Sequence, residues 1–362
     1  MSAGVHLVGS VPLESTEAVF RAATTALGDL IGRLPDGETG DRTGWVGFQL
    51  PLLQNHPDFV MAPRPGAESA DDVEKAIRAE SEDYEVPVFR LRDGADPARL
   101  TFGDLGYARA ALDSWKVFSA MQDAGEIGAG VRFQVCLPTP LAPLLLFVDE
   151  RDHLRAEPAY RAAMLRELDA ICAAVPHDRL AVQWDVAPEL ALIERAWPSV
   201  FGEDVEREVV DRVAAVGAAV PDDVQLGFHF CYGDLGHQHF VEPADMRILV
   251  DLCTAVRRGV PRRIDWVHMP VPRSRDDDAY FAPLRDLELD GATELFLGLV
   301  HATDGLDGAA RRIAAARRAT TTEFGVGTEC GLGRRAPESV PALLDLHRAA
   351  AGLAAEARAG RR

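Results

Sequence analysis

Eight short β-type runs recur along the chain, and amphipathic helical stretches separate most of them. The runs are Val5–Gly9, Leu30–Leu34, Val131–Leu137, Arg179–Asp185, Val224–Phe230, Ile264–Met269, Leu295–Val300 and Glu323–Gly327. Between them, Tyr160–Ala174, Asp204–Ala219, Ala244–Arg257 and Gly308–Ala319 space their apolar residues three and four apart, so each reads as a helix with one buried face. Repeated strand–helix alternation selects a parallel sheet covered by helices, and a count of eight predicts closure into a (β/α)8 TIM barrel. At 362 residues and 47% hydrophobic content, the chain has enough apolar material for one such barrel as a single domain over residues 1–362. The alternation breaks once. Residues 35–130, between the second and third runs, form a long insertion with the cluster Pro63-Arg64-Pro65-Gly66, an acidic run, and expected helices over Ala70–Glu82 and Gly106–Asp123. An insertion of this length is expected to carry its own structure and to cover a site. The Ala/Arg-rich tail after Leu346 is expected to finish as the eighth helix.

Charge narrows the partners. A formal net charge of −19 repels phosphate backbones and anionic lipid surfaces, which argues against nucleic-acid and membrane binding. No run reaches the length of a bilayer span, and Met1–Ser10 lacks the basic flank and apolar stretch of a secretory signal. A cytoplasmic location is therefore expected, and five widely spaced cysteines fit free or metal-binding thiols better than a disulfide framework.

Barrel enzymes work at the C-terminal edge of their strands, so the residue types collected there matter most. Side chains alternate along a strand, which puts His229 and Cys231 of Gly227-Phe228-His229-Phe230-Cys231 on one face. An imidazole and a thiolate side by side suit zinc; the bland reading is a buried packing pair. Cys330 ends the eighth run at the same rim, before the glycine turn Gly331-Leu332-Gly333. Three ligands with one open position is the pattern of a catalytic zinc rather than a structural one. Cys136, Cys172 and Cys253 fall inside a strand or on helix faces and read as packing residues. His268 closes the sixth run and His301 the seventh; each is open as fourth ligand, general acid or base, or hydrogen-bonding core residue. His237 and His239, in the loop beyond the fifth run, read as surface or lid residues. Glu38 and Asp185 also reach strand ends, where paired carboxylates can hold an ammonium group. The turn dipeptide Asp36-Gly37 and a helix-capping Asp185 are the structural alternatives.

His229-Phe230-Cys231-Tyr232, followed far downstream by Glu329-Cys330-Gly331-Leu332, resembles the zinc site of the cobalamin-independent methionine synthase family, in its C-terminal catalytic barrel. Val8-Gly9-Ser10-Val11-Pro12 is similar to that family's opening Gly-Ser-x-Pro, Asp36-Gly37-Glu38 to its His-Gly-Glu, and Gln183-Trp184-Asp185 to its Gln-x-Asp. The resemblance spans nearly the whole chain in order. It implies zinc held by His229, Cys231 and Cys330, substrate contacts from Ser10, Glu38 and Asp185, and His301 as proton donor. Two departures stand out. The family's fourth ligand, a glutamate in Glu-Thr-Ser-Arg-Ser, has no counterpart in His268-Met269-Pro270-Val271-Pro272-Arg273-Ser274, so either His268 replaces it or water does. The family's Asp-Glu-Pro reads Asp185-Val186-Ala187-Pro188-Glu189, which displaces one carboxylate. The implied activity is zinc-dependent transfer of a methyl or alkyl group to a small thiol, with a corrinoid or folate among the donors. The same superfamily includes uroporphyrinogen decarboxylase, so a metal-independent lyase or decarboxylase is one rival. A non-catalytic zinc- or thiol-binding protein is the other.

Overall fold

A computed structural model describes residues 4–62, 87–233 and 238–359. Seven strands form one curled parallel sheet: β1 (Arg33–Pro35), β4 (Arg132–Pro138), β5 (Leu180–Val186), β6 (Gln225–Phe230), β7 (Trp266–Pro270), β8 (Glu294–Val300) and β9 (Phe324–Thr328), hydrogen-bonded in that order. These are seven of the eight expected runs. The first, Val5–Gly9, is held by isolated bridges: Val5 pairs in parallel with both Ile31, just before β1, and Val326 of β9. The Val5 amide donates to the Leu30 carbonyl and the His6 amide to that of Val326, so the segment spans the two edges of the sheet. β5 is buried over its whole length: Leu180, Val182, Trp184 and Val186 join the main core, and the alternate residues Ala181, Gln183 and Asp185 lie on the other face.

The helices pack outside. Thr16–Leu27 starts at Ser15, whose hydroxyl accepts the Ala18 amide at 3.2 Å, and stops at Gly28 in the left-handed region (φ 51°). His153–Ala174, Val205–Ala219, Arg247–Gly259 and Gly305–Ala319 occupy the expected amphipathic segments, and Val340–Ala359 is the expected last helix. Their apolar faces and the outer sheet face make the main core. Inside the curl lies a smaller apolar cluster of Ala181, Trp266 and Phe296. Trp266 fits because its neighbour on β6 is Gly227, where a Cβ would come within 1.9 Å of the indole. Burying roughly 200 Å² of indole at about 25 cal/mol per Å² stabilises the fold by about 5 kcal/mol at most.

Within the long insertion, the antiparallel pair β2 (Phe59–Met61) and β3 (Phe89–Leu91) and the helix Tyr107–Asp123 are present. The helix expected over Ala70–Glu82 lies outside the described residues. No helix among the described residues is long and apolar enough to cross a membrane.

Candidate active site

Sheet register brings the titratable groups into layers. Cys136, Gln183, Gly227 and Trp266 are consecutive partners across β4–β7, and one pleat further toward the C-terminal edge Pro138, Asp185, His229 and His268 are partners. Above them opens a cavity of about 150 Å³, bordered by His229, Cys231, Cys330, Asp185, Glu38 and Ser10. Six of the residues singled out from the sequence therefore meet at one place.

One wall carries the soft donors. A nitrogen of His229 and the sulfurs of Cys231 and Cys330 all lie within 4.8 Å of one another, the two sulfurs 3.9 Å apart. Nε2 of His229 is buried and has no hydrogen-bond partner, whereas Nδ1 lies 2.8 Å from Nδ1 of His268. Nε2 of His268 in turn donates to the Thr328 carbonyl at 3.0 Å. Both nitrogens of His268 are thus engaged behind His229, and it is not in the triad of close donor atoms. Burial pulls the His268 imidazole down to about 3 and the His229 imidazole well below its ordinary value, so both are neutral at pH 7. The contact with Cys330 draws the Cys231 thiol down, helped by the Gly233 amide and the Arg334 charge, and pushes Cys330 up. An imidazole with one orphaned nitrogen, grouped with two thiols, is a donor set that suits zinc in residue type and in number for an open site.

Two carboxylates line the same cavity. Glu38 sits in the left-handed region (φ 51°), an uncommon place for a residue with a Cβ, and its backbone amide donates to Asp36 Oδ1 at 3.0 Å. Asp36 is fixed by Arg42 and by the Ser114 hydroxyl at 2.8 Å. Gly37 precedes Glu38 at φ 82°, where a Cβ would press to 2.6 Å from Val19. Burial raises the Glu38 carboxyl to about 7, with Asp36 adding to the shift and Arg42 and Arg334 opposing it. Asp185 accepts from Gln183 Nε2 at 2.8 Å, and burial, with the nearby Glu38, pushes it well above the carboxylate range. Ser10 anchors the glycine turn after Cys330: its hydroxyl accepts the Gly333 amide at 3.1 Å and its carbonyl the Leu332 amide at 2.7 Å. The rest of the cavity is mainly apolar and aromatic, including Trp45 from the insertion, Phe147, Trp197 and Phe240.

His301 lies aside. It does not line the cavity; its Nε2 donates to the Val271 carbonyl at 2.8 Å, its Nδ1 is 4.0 Å from Glu329, and burial holds it down at about 4. His237 lies outside the described residues. His239, expected as a surface or lid residue, is half-buried, with its Nε2 bonded at 2.7 Å to Glu329, next to Cys330 in sequence. Burial pulls its imidazole down, but the hydrogen bond and charge of Glu329 outweigh this and leave it at about 8. Sequence reasoning missed Arg334, which lines the cavity with Nη2 3.8 Å from Cys330 Sγ, and Trp45. The one signal available for Arg334 was its position in the loop after the glycine turn.

No family model matches this chain, and no curated protein matches it by sequence. Among solved structures it is similar to a B12-independent methionine synthase from Shewanella sp. W3-18-1 in complex with selenomethionine, with a TM-score of 0.65 and 13% identity over 99% of this chain and 100% of that one. It is also similar to a Listeria monocytogenes protein described as a vitamin-B12-independent methionine synthase, with a TM-score of 0.58 and 13% identity over 97% and 98% of the two chains. Over nearly its full length, then, the chain has the fold of cobalamin-independent methionine synthase-like proteins.

Proposed function

We propose that the protein transfers a methyl or other small alkyl group to the sulfur of a small thiol, with zinc held by His229, Cys231 and Cys330. The observation that carries this reading is His229, with a buried, partnerless Nε2, grouped with two thiols at the edge of a cavity that two buried carboxylates also line. On this reading the scaffold is a (β/α)8 barrel, one domain over residues 1–362, with the bridged Val5–Gly9 segment as its first stave.

Zinc bound at the triad would lower the pKa of a substrate thiol so that the thiolate is present at neutral pH. The chain's own residues do the rest. Glu38 and Asp185, both short of solvation, favour a positive charge between them and would hold an ammonium group of the thiol substrate. Ser10 keeps the Gly331–Gly333 turn against the opening, which sets where Cys330 stands. Trp45, Trp197 and Phe240 keep water from the sulfur and from the alkyl carbon. Sulfur attacks the carbon, the new C–S bond forms as the bond to the leaving group breaks, and the leaving group departs with the electron pair. Two partners held in line make this step effectively unimolecular. His301 is neutral, bonded to the Val271 carbonyl and outside the cavity lining, so on this reading a proton for the leaving group comes from solvent at the mouth rather than from His301. A cavity of about 150 Å³ takes a small thiol and an alkyl group, so a folate or corrinoid donor would present its methyl from the mouth.

The test is alkyl transfer to a panel of small thiols by zinc-loaded and chelator-treated protein. Transfer that disappears on chelation and returns with zinc supports the reading. Turnover without thiol and undiminished by chelation would replace it with the metal-independent lyase.

A further inference from the structure

His268 stands between the two strands that carry the donor triad. His229 is on β6 and Cys330 follows β9; these strands are not neighbours, since β7 and β8 separate them in the sheet. From β7, His268 reaches both: Nδ1 is 2.8 Å from His229 Nδ1, and Nε2 is 3.0 Å from the Thr328 carbonyl at the end of β9. Thr328 is itself coupled to the triad, because its hydroxyl donates to the Cys330 carbonyl at 2.7 Å.

The proton positions along this path follow from the acceptor at its end. A carbonyl oxygen only accepts, so Nε2 of His268 carries the hydrogen. A neutral His268 then offers a lone pair at Nδ1, and the short contact between two ring nitrogens needs one proton between them. That proton belongs to His229 Nδ1. His229 is left with a bare lone pair on Nε2, the buried atom that has no hydrogen-bond partner, on the residue grouped with the two thiols. From these contacts we infer that His268 is a positioning residue: it fixes His229 in the tautomer whose Nε2 is free to bind a metal, and through Thr328 it ties the strand end that carries Cys330 to the same frame. A ligating imidazole commonly gives its other N–H to an acceptor that orients the ring, usually a carboxylate, a carbonyl or water. Here a second imidazole does so, itself oriented by the backbone. The metal part of the inference rests on the proposed zinc reading; the tautomer is a property of the metal-free protein.

The experiment has two readouts. Long-range proton–nitrogen NMR on metal-free protein should show His229 protonated at Nδ1 and bare at Nε2, and His268→Phe should mix the two tautomers. Zinc affinity by chelator competition should fall about 10- to 100-fold in His268→Phe. His268→Gln, whose carbonyl accepts from His229 and whose amide donates to Thr328, should stay within about threefold of wild type. His229 protonated at Nε2 in wild type, or a His268→Phe protein that binds zinc as tightly as wild type, overturns the inference. If wild type binds no zinc, the proposed function fails and the tautomer spectrum alone decides this point. If His268→Phe does not fold, the wild-type spectrum and His268→Gln still decide it.

Discussion

The two walls of the cavity are built on opposite electrostatic principles. On the side of β6 and β9, a neutral, buried imidazole stands beside two thiols and is oriented by hydrogen bonds that end on a backbone carbonyl. On the side of β5 and the loop after β1, two carboxylates are held by burial above the ordinary carboxylate range, Glu38 adding to the shift of Asp185, and one of them stands on strained backbone. The first wall suits an ion that will be bound tightly and kept. The second is unsatisfied as it stands, and a cation that comes and goes would relieve it. A resident metal and an exchanging ammonium-bearing substrate match the two walls in that order.

The largest expected effect separates the walls outright. Cys231→Ala should weaken zinc binding by at least about 100-fold, beyond what loss of an orienting contact costs, whereas Asp185→Asn should leave metal content near wild type and lose thiol binding. Loss of metal in Asp185→Asn, measured by elemental analysis, would break the division.

Next comes the pH response of the carboxylate wall. Glu38 titrates near 7 in the fold against about 4.5 unfolded, so the native state binds the extra proton between those values. Stability from this group is therefore highest below about pH 4.5 and declines as pH rises toward 7. Above that the buried charge costs about 3 kcal/mol. Glu38→Gln should be more stable than wild type at pH 8 by an amount of this order, with little difference at pH 4.5, while KM for an amine-bearing thiol rises. Denaturant melts at the two pH values check the sign; a variant less stable at pH 8 than wild type contradicts it.

How much of this was legible in the sequence differs between the walls too. His229 and Cys231 were readable because alternation along a strand is local, and Cys330 because a glycine turn marks a strand end. Asp185 and Glu38 were readable as types at strand ends, but their mutual burial was not. The direction His268 faces depends on a contact with Thr328, 60 residues away and two strands over, so the sequence leaves it open among ligand, general acid or base, and core residue. Arg334 and the His239–Glu329 pair are contacts between loops, for which no strand or helix period gives a signal. The first run, Val5–Gly9, was read as an ordinary strand, but its pairing is reduced to bridges where the sheet edges meet.

Packing beneath each wall gives a middle-sized effect. Gly227→Ala drives a methyl into Trp266, two residues before His229, and Gly37→Ala adds a clash with Val19 at positive φ, one residue before Glu38. Each should cost about 1–3 kcal/mol of stability, the first disturbing metal affinity and the second thiol binding, as paired titrations would show. The smallest effect is expected from His239→Gln. The His239 imidazole is raised to about 8, so its contribution is fully present below about pH 6.5 and is lost as pH rises through 8. Because the pair is partly open to solvent, that contribution is about 1 kcal/mol at most, read as a difference in melts at pH 6 and pH 9.

The most direct test of the central claim is the zinc content of untagged wild-type protein beside Cys330→Ser, both prepared under reducing conditions and measured by elemental analysis. Close to one zinc per wild-type chain and almost none in the variant is the expected result, with both proteins folded by circular dichroism. A wild-type protein that holds no zinc even after reconstitution, or a variant that holds as much as wild type, would contradict it.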